Sequence, residues 1–305
     1  LMRIKKELKV DFLDFWPNFI KKDNFFFNML QTEYIVNIDS NNPDLVIFSN
    51  NFKKENEIQK YKNSKIPKLF FTGENSQPDF TVADYSFSFN PNTDERNLYF
   101  PLWILYINWF NKKYNKNRDQ AFLIPEKNLI KFGTETYIPK KFCSFISGNP
   151  KATFRNSFVT QLQGYKKVGC GGTILRNTLF PARGRGDQIG KINFLKKYKF
   201  NVCFENSSNI GYNTEKILHP LAYNIIPIYW GDPNISNIFN PKAFLNYHDF
   251  ETTEEFILEI KKIDSNDDLY LNMINQPVFK NNTIPLEYQP KTALKFINNI
   301  LETRG

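Results

Sequence analysis

The chain has 305 residues, enough for two domains of ordinary size, and its 41% hydrophobic and 16% aromatic content is typical of a soluble globular protein. Its formal net charge of +9 favours an anionic ligand, a nucleic acid or an acidic membrane surface as partner. Three widely spaced cysteines and two histidines exclude a disulfide framework and a multi-histidine metal centre, and they indicate a reducing compartment.

The first part of the chain alternates short apolar runs with helical segments. The predicted strands are Leu8–Phe15, Tyr34–Ile38, Leu45–Phe48, Lys68–Thr72 and Tyr85–Phe89, and the predicted helices are Phe25–Leu30, Lys53–Tyr61 and Tyr99–Phe110. Strands that alternate with helices predict a mainly parallel sheet in an α/β fold. The apolar run Leu102–Phe110 is too short to span a bilayer, so it is assigned to a buried helix.

The charged and polar stretch 111–139 is predicted to separate two domains, 1–140 and 141–305. A second alternation then begins. Its predicted strands are Phe142–Ser147, a strand at Val168, Phe200–Phe204 and Ile225–Tyr229, and its predicted helices are Phe154–Leu162, Glu254–Ile263 and Thr292–Leu301. The proline and glycines within Arg176–Ile189 predict a mobile loop.

The stretch from Lys199 to Asp232 has the pattern strand, polar loop, helix, strand, with Asn213 or Thr214 as the helix cap. Ligands bind such units where a strand ends and a helix begins. Lys216 falls in the first helical turn, where a cation opposes the helix dipole unless an anion is bound. Either Lys216 holds a phosphate, or Glu215 compensates the dipole while Lys216 points into water.

Positive charge is concentrated between residues 140 and 200, where thirteen Lys and Arg accompany one acid, Asp187. Arg155 lies there, at the predicted start of a helix that follows a strand. Together Arg155 and Lys216 could grip a diphosphate, since arginine offers a planar fork and lysine a point charge. Glu215 could accept hydrogen bonds from ribose hydroxyls. The alternative for most of the other cations is a solvated basic face.

Two further features are open to more than one interpretation. The glycines between Gly169 and Gly172 allow a ligand to approach the backbone closely, or they simply serve a tight turn. Glu74 follows an apolar strand, at the edge where open α/β sheets place their sites. It is either a functional carboxylate or an ordinary turn residue.

Several blocks of the chain resemble the α-1,3-fucosyltransferases of glycosyltransferase family ten. The signature blocks are FENSSNIGYNTEKI (204–217) and IPIYWGDP (226–233), and the blocks similar to bacterial members are FCSFISGNPKATFRN (142–156), YKKVGCGG (165–172), FLKKYKFNVCFEN (194–206) and NPKAFLNYHDF (240–250). The similarity is dense over 142–250. Over 66–100 it is carried by GEN (73–75), Pro78, Phe80 and the pair Asp84 and Tyr85.

This resemblance implies an α/β fold of two Rossmann-like domains facing across a cleft, the GT-B type of glycosyltransferase architecture. An N-terminal acceptor-binding domain, 1–140, and a C-terminal GDP-fucose-binding domain, 141–305, are implied. Residue by residue, it assigns the diphosphate to Arg155 and Lys216, the ribose to Glu215, other parts of the donor to Asn206 and Tyr212, and the catalytic base to Glu74. The family often has Tyr where this chain has Phe71, so a hydroxyl contact to the donor is expected to be lost.

The implied reaction is inverting transfer of L-fucose from GDP-β-L-fucose to N-acetylglucosamine of a LacNAc-type glycan. The α-1,3 linkage gives a Lewis x-type product. Neither a DxD triplet nor a histidine cluster occurs, so no metal or other cofactor is expected to be required. Open alternatives are an α-1,4 or dual α-1,3/4 enzyme, a same-fold transferase that uses another nucleotide sugar, and a nucleic-acid-binding protein that uses the basic stretch 140–200.

The expected partners are GDP-fucose and an N-acetylglucosamine-containing glycan, and not nucleic acid. The expected location is the cytoplasm, because the sequence begins without a signal-peptide h-region. Some bacterial members of the family end in heptad repeats and a basic amphipathic membrane tail, which this sequence does not show. Peripheral contact of the basic surface with the inner face of the membrane is therefore left open.

Overall fold

A computed structural model of the chain describes residues 5–50, 56–91, 94–113, 123–179 and 187–303. The chain divides into two compact units. The first contains residues 1–105 and 285–305, and the second contains residues 106–284. These bounds differ from the predicted 1–140 and 141–305 because the segment 106–140 belongs to the second unit and the C-terminal helix to the first.

The first unit is built on a six-stranded parallel sheet with the strand order β2-β1-β3-β4-β5-β6. Its strands are β1 (Lys6–Leu13), β2 (Tyr34–Ile38), β3 (Leu45–Phe48), β4 (Lys68–Phe71), β5 (Tyr85–Ser88) and β6 (Asn97–Tyr99). Its α-helices are α1 (Phe25–Leu30) and α7 (Pro290–Glu302). Short 3-10 helices occupy Glu57–Tyr61, Leu102–Tyr106 and Leu286–Tyr288, the second of which ends at the boundary with the other unit.

Phenylalanine rings fill the core of this unit. Phe71 is fully buried, and its ring centroid lies 5.0 Å from that of Phe26. Phe26, Phe87 and Phe100 continue the same cluster. Helix α7 packs on this sheet, with Phe296 5.5 Å from Phe87 between ring centroids. The contact explains why the C-terminal helix joins the first unit although it is distant in sequence.

The second unit is built on a five-stranded parallel sheet with the order β11-β10-β9-β7-β8. Its strands are β7 (Lys141–Phe145), β8 (Val168–Cys170), β9 (Tyr198–Val202), β10 (Ile226–Tyr229) and β11 (Leu245–Asn246). Its α-helices are α2 (Thr153–Gln163), α3 (Gln188–Leu195), α4 (Glu215–Ala222), α5 (Thr253–Asp264) and α6 (Asp267–Ile274). Further 3-10 helices occupy Glu126–Leu129, Ile235–Asn237, Pro241–Ala243 and Tyr247–Asp249.

Apolar side chains from β7, β9 and β10 pack against α2, α5 and α6 to form the core of the second unit. The parallel pairing aligns Phe200 of β9 with Cys143 of β7 and Ile226 of β10. The carboxyl ends of these strands consequently lie along one edge of the sheet, with α2 and α4 beginning beyond it.

Most of the predicted elements are confirmed, but the helix predicted for Tyr99–Phe110 is wrong. Tyr99 ends β6, which pairs with β5, and only Leu102–Tyr106 forms a short 3-10 helix. The periodicity of a short apolar run does not distinguish a strand from a helix. Here the first residue of the predicted helix forms a strand because it pairs with the neighbouring strand β5. Of the predicted helix Lys53–Tyr61, residues 53–55 lie outside the described part, and Glu57–Tyr61 forms a 3-10 helix. Of the predicted loop Arg176–Ile189, residues 180–186 lie outside the described part, and α3 begins already at Gln188.

No helix within the described ranges has the length and apolar character needed to cross a membrane.

Candidate functional site

A cavity of about 560 Å³ opens at the carboxyl ends of β7, β8 and β9 in the second unit. The segments that follow these strands line it, together with the first turn of α4 and one face of α3. Four cations and two acids contribute to its wall, namely Arg155, Arg176, Lys191, Lys216, Asp187 and Glu215. The sequence predicted a site at this edge, and three of its predicted residues, Arg155, Glu215 and Lys216, meet there.

Arg155 is the third residue of α2 and is only 4% exposed. Its Nη1 donates to the Phe204 carbonyl at 3.2 Å and to Asn206 Oδ1 at 3.0 Å, and its Nη2 donates to Ser147 Oγ at 2.7 Å. Burial lowers the pKa of the guanidinium, which the nearby charge of Glu205 opposes. The buried Nε has no hydrogen-bond partner among the described residues. An anion in the cavity would supply one.

The start of helix α2 provides backbone N–H donors beside the Arg155 guanidinium. Its cap residue, Ala152, makes no side-chain capping hydrogen bond within the described structure. The first N–H groups of a helix lack intrahelical partners, and they favour a negative group bound next to them. The start of α2 is therefore suited to a phosphate beside Arg155.

Lys216 lies in the first turn of α4, as predicted, but it does not point into water. Its Nζ donates to Glu205 Oε2 at 2.7 Å and to Thr214 Oγ1 at 2.9 Å. Glu205 is completely buried, whereas the Lys216 side chain is 26% exposed. Burial would lower the pKa of Lys216, but the charges of Glu205 and Glu215 outweigh it and raise that pKa. The ammonium is thus held charged at the cavity wall by a buried carboxylate.

Glu215 precedes Lys216 and lies beside a second lysine. Lys191 Nζ is 3.9 Å from Glu215 Oε1. Burial alone would raise the pKa of the Glu215 carboxyl, but the charges of Lys216 and Lys191 outweigh burial and lower it to about 2. At neutral pH Glu215 is therefore an ionised acceptor that faces the cavity, which suits hydroxyl donors.

Asn206 and Tyr212, the other two predicted donor contacts, lie near the cations and not in the cavity wall itself. The exposed Asn206 accepts from Arg155 through Oδ1. Tyr212 is buried, at 2% exposure. Their predicted contacts with a donor stay predictions.

Two of the glycines in the 169–172 cluster are required by packing. A Cβ on Gly172 would lie 2.1 Å from the Ser147 carbonyl oxygen, and one on Gly169 would lie 2.1 Å from Tyr198 Oη. Contacts this short force something to move. Gly172 thereby allows the backbone after β8 to pack against Ser147, which in turn accepts from Arg155. Gly169 lies within β8 and is therefore not a turn residue, so packing is the reason the structure gives for these two glycines. Close approach to a ligand stays a prediction.

Glu74 lies in the first unit, in the turn after β4, and its side chain is exposed. Thr72 Oγ1 accepts from the Glu74 N–H at 3.0 Å and donates to the Glu74 carbonyl at 2.9 Å. These bonds hold the backbone of the turn and leave the carboxylate free of hydrogen bonds within the described residues. Whether it serves as a base stays a prediction.

Four residues of the site were missed by sequence reasoning: Ser147, Lys191, Glu205 and His219. Ser147 is the last residue of one predicted strand and Glu205 directly follows another, so strand position was a usable signal for them. Lys191 and His219 lie on two different helices. Their contact was not predictable, because no local pattern in the sequence specifies which faces of two helices pack against each other. No group of three or more His, Cys, Asp or Glu suited to a metal ion occurs within the described ranges.

Comparison with protein families gives two matches that cover most of the chain. The α-(1,3)-fucosyltransferase FucT N-terminal domain matches residues 10–106, and the C-terminal part of glycosyltransferase family 10 (fucosyltransferase) matches residues 138–276. The α-(1,3)-fucosyltransferase FucT of Helicobacter pylori is 32% identical over 83% of this chain and 56% of its own length. The human GDP-fucose protein O-fucosyltransferase 3 is 32% identical over 38% of this chain and 25% of its own length.

The chain thus spans little more than half of the Helicobacter pylori relative. Solved structures match over a larger share. An α1,3-fucosyltransferase with GDP has a TM-score of 0.76 at 29% identity, covering 99% of this chain and 92% of that one. The same kind of enzyme with GDP-fucose has a TM-score of 0.74 at 27% identity, with the same coverage. Anabaena Alr3699/HepE with UDP-glucose, at 10% identity and a TM-score of 0.51, shares the fold alone.

Proposed function

Because the chain belongs to glycosyltransferase family 10, the fucosyltransferases, we propose that it transfers L-fucose from GDP-β-L-fucose to N-acetylglucosamine in a LacNAc-type glycan. The proposed linkage is α-1,3, which gives a Lewis x-type product. The observation that carries this proposal is the cavity of the second unit, where Arg155, Glu215 and Lys216 converge at the starts of two helices.

A nucleoside diphosphate leaving group needs its growing charge neutralised. In the proposed complex, the Arg155 guanidinium and backbone N–H groups in the first turn of α2 hold one side of the diphosphate. Lys216 holds the other side from α4. Arg155 is preorganised by its bonds to Ser147, Asn206 and the Phe204 carbonyl, and Lys216 by Glu205. Donors fixed in advance stabilise developing charge without having to reorganise.

The ribose is proposed to lie against Glu215. An ionised carboxylate only accepts hydrogen bonds, and ribose hydroxyls can donate to it. The pKa of Glu215, lowered to about 2, keeps the carboxylate ionised at any working pH near neutrality. Asn206 and Tyr212 are proposed to contact other parts of the donor.

The acceptor is a neutral sugar hydroxyl, so the reaction also needs a proton acceptor. We assign this role to the exposed carboxylate of Glu74. The acceptor oxygen forms its bond to the anomeric carbon as the bond to the GDP oxygen breaks, and the hydroxyl proton passes to Glu74. General-base assistance of this type is worth about 10²–10⁴-fold. A single displacement inverts the anomeric carbon and converts a β-linked donor into an α-fucoside.

No metal ion is assigned a role in this reaction. The described cations in the cavity already supply positive charge to the diphosphate. Phe71, where relatives often have Tyr, is buried in the core of the first unit. It is therefore assigned no donor contact.

The donor is tested by thermal stabilisation of the protein with GDP, with UDP and with an oligonucleotide. We expect stabilisation by GDP alone. A larger shift with UDP would indicate another nucleotide sugar, and a shift only with the oligonucleotide would favour the nucleic-acid alternative.

The acceptor is tested with GDP-fucose on a panel of glycans, followed by NMR determination of the linkage in the product. We expect an α-1,3 fucoside on N-acetylglucosamine. An α-1,4 product would correct the regiochemistry. Because one group of relatives carries the name GDP-fucose protein O-fucosyltransferase 3, the panel should include a folded protein acceptor. Transfer to that acceptor alone would refute the glycan proposal.

Contact of the basic 140–200 stretch with a membrane stays a prediction. Part of its charge is already paired, since Lys166 and Lys199 both bind the Asp264 carboxylate. The excess positive charge available to an anionic membrane surface is accordingly smaller than the number of Lys and Arg residues suggests.

A further inference from the structure

A third cation lies in the wall of the cavity, on a helix that the functional assignment leaves unused. Lys191 belongs to α3, and its side chain is 22% exposed. Its Nζ is 3.1 Å from His219 Nδ1 and 3.9 Å from Glu215 Oε1. One ammonium group thus bridges an imidazole and the carboxylate proposed to bind ribose.

The two groups that Lys191 bridges are neighbours on α4. Glu215 and His219 are four residues apart, which places their side chains on the same face of the helix. His219 is completely buried, and its ring meets the Tyr106 ring edge-on with the centroids 5.4 Å apart. The imidazole is thereby fixed by packing, so it can fix Lys191 in turn.

The hydrogen-bond roles follow from chemistry. Burial lowers the pKa of Lys191, and the charge of Glu215 opposes that shift. In its ammonium form Lys191 has only donors, so His219 Nδ1 accepts and the neutral imidazole carries its proton on Nε2, which is buried and has no hydrogen-bond partner among the described residues. Burial and the adjacent charge of Lys191 lower the pKa of His219 well below its ordinary value, which agrees with a neutral ring. His219 therefore orients Lys191 without competing with it for Glu215.

We propose that Lys191, oriented by His219, is a positioning residue that holds the Glu215 carboxylate in place to accept a ribose hydroxyl of the donor. This inference rests on the proposed function of the cavity as a GDP-sugar site. Lys216 cannot replace Lys191 in this role, because its ammonium is already engaged by Glu205 and Thr214. Lys191 forms an ion pair with Glu215 and leaves the Glu205 carboxylate to Lys216.

The test measures how strongly the protein distinguishes GDP from its deoxyribose analogues. Calorimetry is performed with GDP, 2′-deoxy-GDP and 3′-deoxy-GDP. The wild type should bind GDP about tenfold or more tightly than the analogue that lacks the hydroxyl bound by Glu215. Lys191→Met should reduce this preference to about twofold or less, since the carboxylate is no longer held in place. Lys197→Met, an exposed lysine just beyond the same helix, should leave the preference unchanged.

Two substitutions of His219 test the same proposal independently, in case Lys191→Met does not fold. His219→Asn keeps an acceptor close to the position of Nδ1 and should retain the ribose preference. His219→Phe keeps the ring and removes the acceptor, and it should lose that preference. Circular dichroism and GDP binding confirm folding of each variant.

Equal weakening of GDP and both analogues in Lys191→Met would overturn the proposal, because Lys191 would then act on the diphosphate or on the fold. An unchanged preference in that variant would overturn it as well. A wild type that binds no GDP would instead refute the proposed function. A wild type that binds GDP but shows no ribose preference would refute the inference alone.

Discussion

Replacing Lys216 by methionine should reduce both the stability of the protein and its affinity for GDP, by separable causes. The substitution keeps the length of the side chain and removes the ammonium that lies 2.7 Å from Glu205 Oε2. Glu205, which is completely buried, would then carry an unpaired charge. Breaking such a pair costs about 3–5 kcal/mol, and we expect about 3 kcal/mol, since Lys216 itself is partly exposed.

The loss of GDP affinity has a different origin. A hydrogen bond to a charged group contributes about 1.5–3 kcal/mol, which corresponds to about 10- to 150-fold in affinity. The double variant Lys216→Met with Glu205→Gln separates the two effects. A neutral pair of similar volume removes the unpaired buried charge, so most of the stability should return. GDP affinity should stay low because the cation is still missing. Glu205→Gln alone keeps the Lys216 ammonium and an amide oxygen that can accept from it, so it should bind GDP more tightly than the double variant.

The assay combines urea unfolding with GDP calorimetry on all four proteins. A double variant that regains GDP affinity together with stability would show that Lys216 acts only through the fold. Binding of GDP by Lys216→Met within about twofold of the wild type would equally exclude a contact with the diphosphate.

Three further predictions concern catalysis, metal dependence and pH. Glu74→Gln should lower the rate of transfer by about 10²-fold or more while GDP calorimetry stays unchanged; a rate close to wild type would make Glu74 a turn residue. Fucosyl transfer should continue in excess EDTA, and complete loss of activity that a divalent metal restores would contradict the assignment of charge neutralisation to the cations. The Glu215 carboxyl, with its pKa lowered from 4.5 to about 2, stabilises the folded state above pH 4.5 and loses this contribution as the pH falls towards 2. Glu215→Gln should therefore cost at most about 3 kcal/mol of unfolding free energy at pH 7, and urea titrations should show the difference shrinking in acid; a constant difference would mean that the carboxyl titrates normally.

Local pattern was sufficient for much of this fold. Parallel strands buried on both faces form short apolar runs, and Asn, Gly and Pro mark their ends. The buried strand Leu45–Phe48 was therefore predicted with its observed bounds. The helix Phe25–Leu30 and the edge strand Tyr34–Ile38 were also predicted with their observed bounds, although only Val36 of that strand is buried. The start of α4 was also correct, because Thr214 is a strong N-cap residue.

Local pattern failed where an element depends on a distant partner. Tyr99 is part of strand β6 because β6 pairs with the edge of β5. An amphipathic helix was predicted at Thr292–Leu301 and is observed at Pro290–Glu302, but its apolar face could not show which sheet it would cover.

The chemistry available at the site could be predicted from local pattern, which places Arg155, Glu215 and Lys216 at two helix starts, each beyond the end of a strand. The partners that hold these three side chains became visible in the folded chain. Glu205 reaches Lys216 across a loop, and Ser147 reaches Arg155 from the end of β7. Lys191 meets His219 from a separate helix. Such partners are chosen by the register of the sheet and the packing of helices on it, and these are properties of the whole fold that no local spacing encodes.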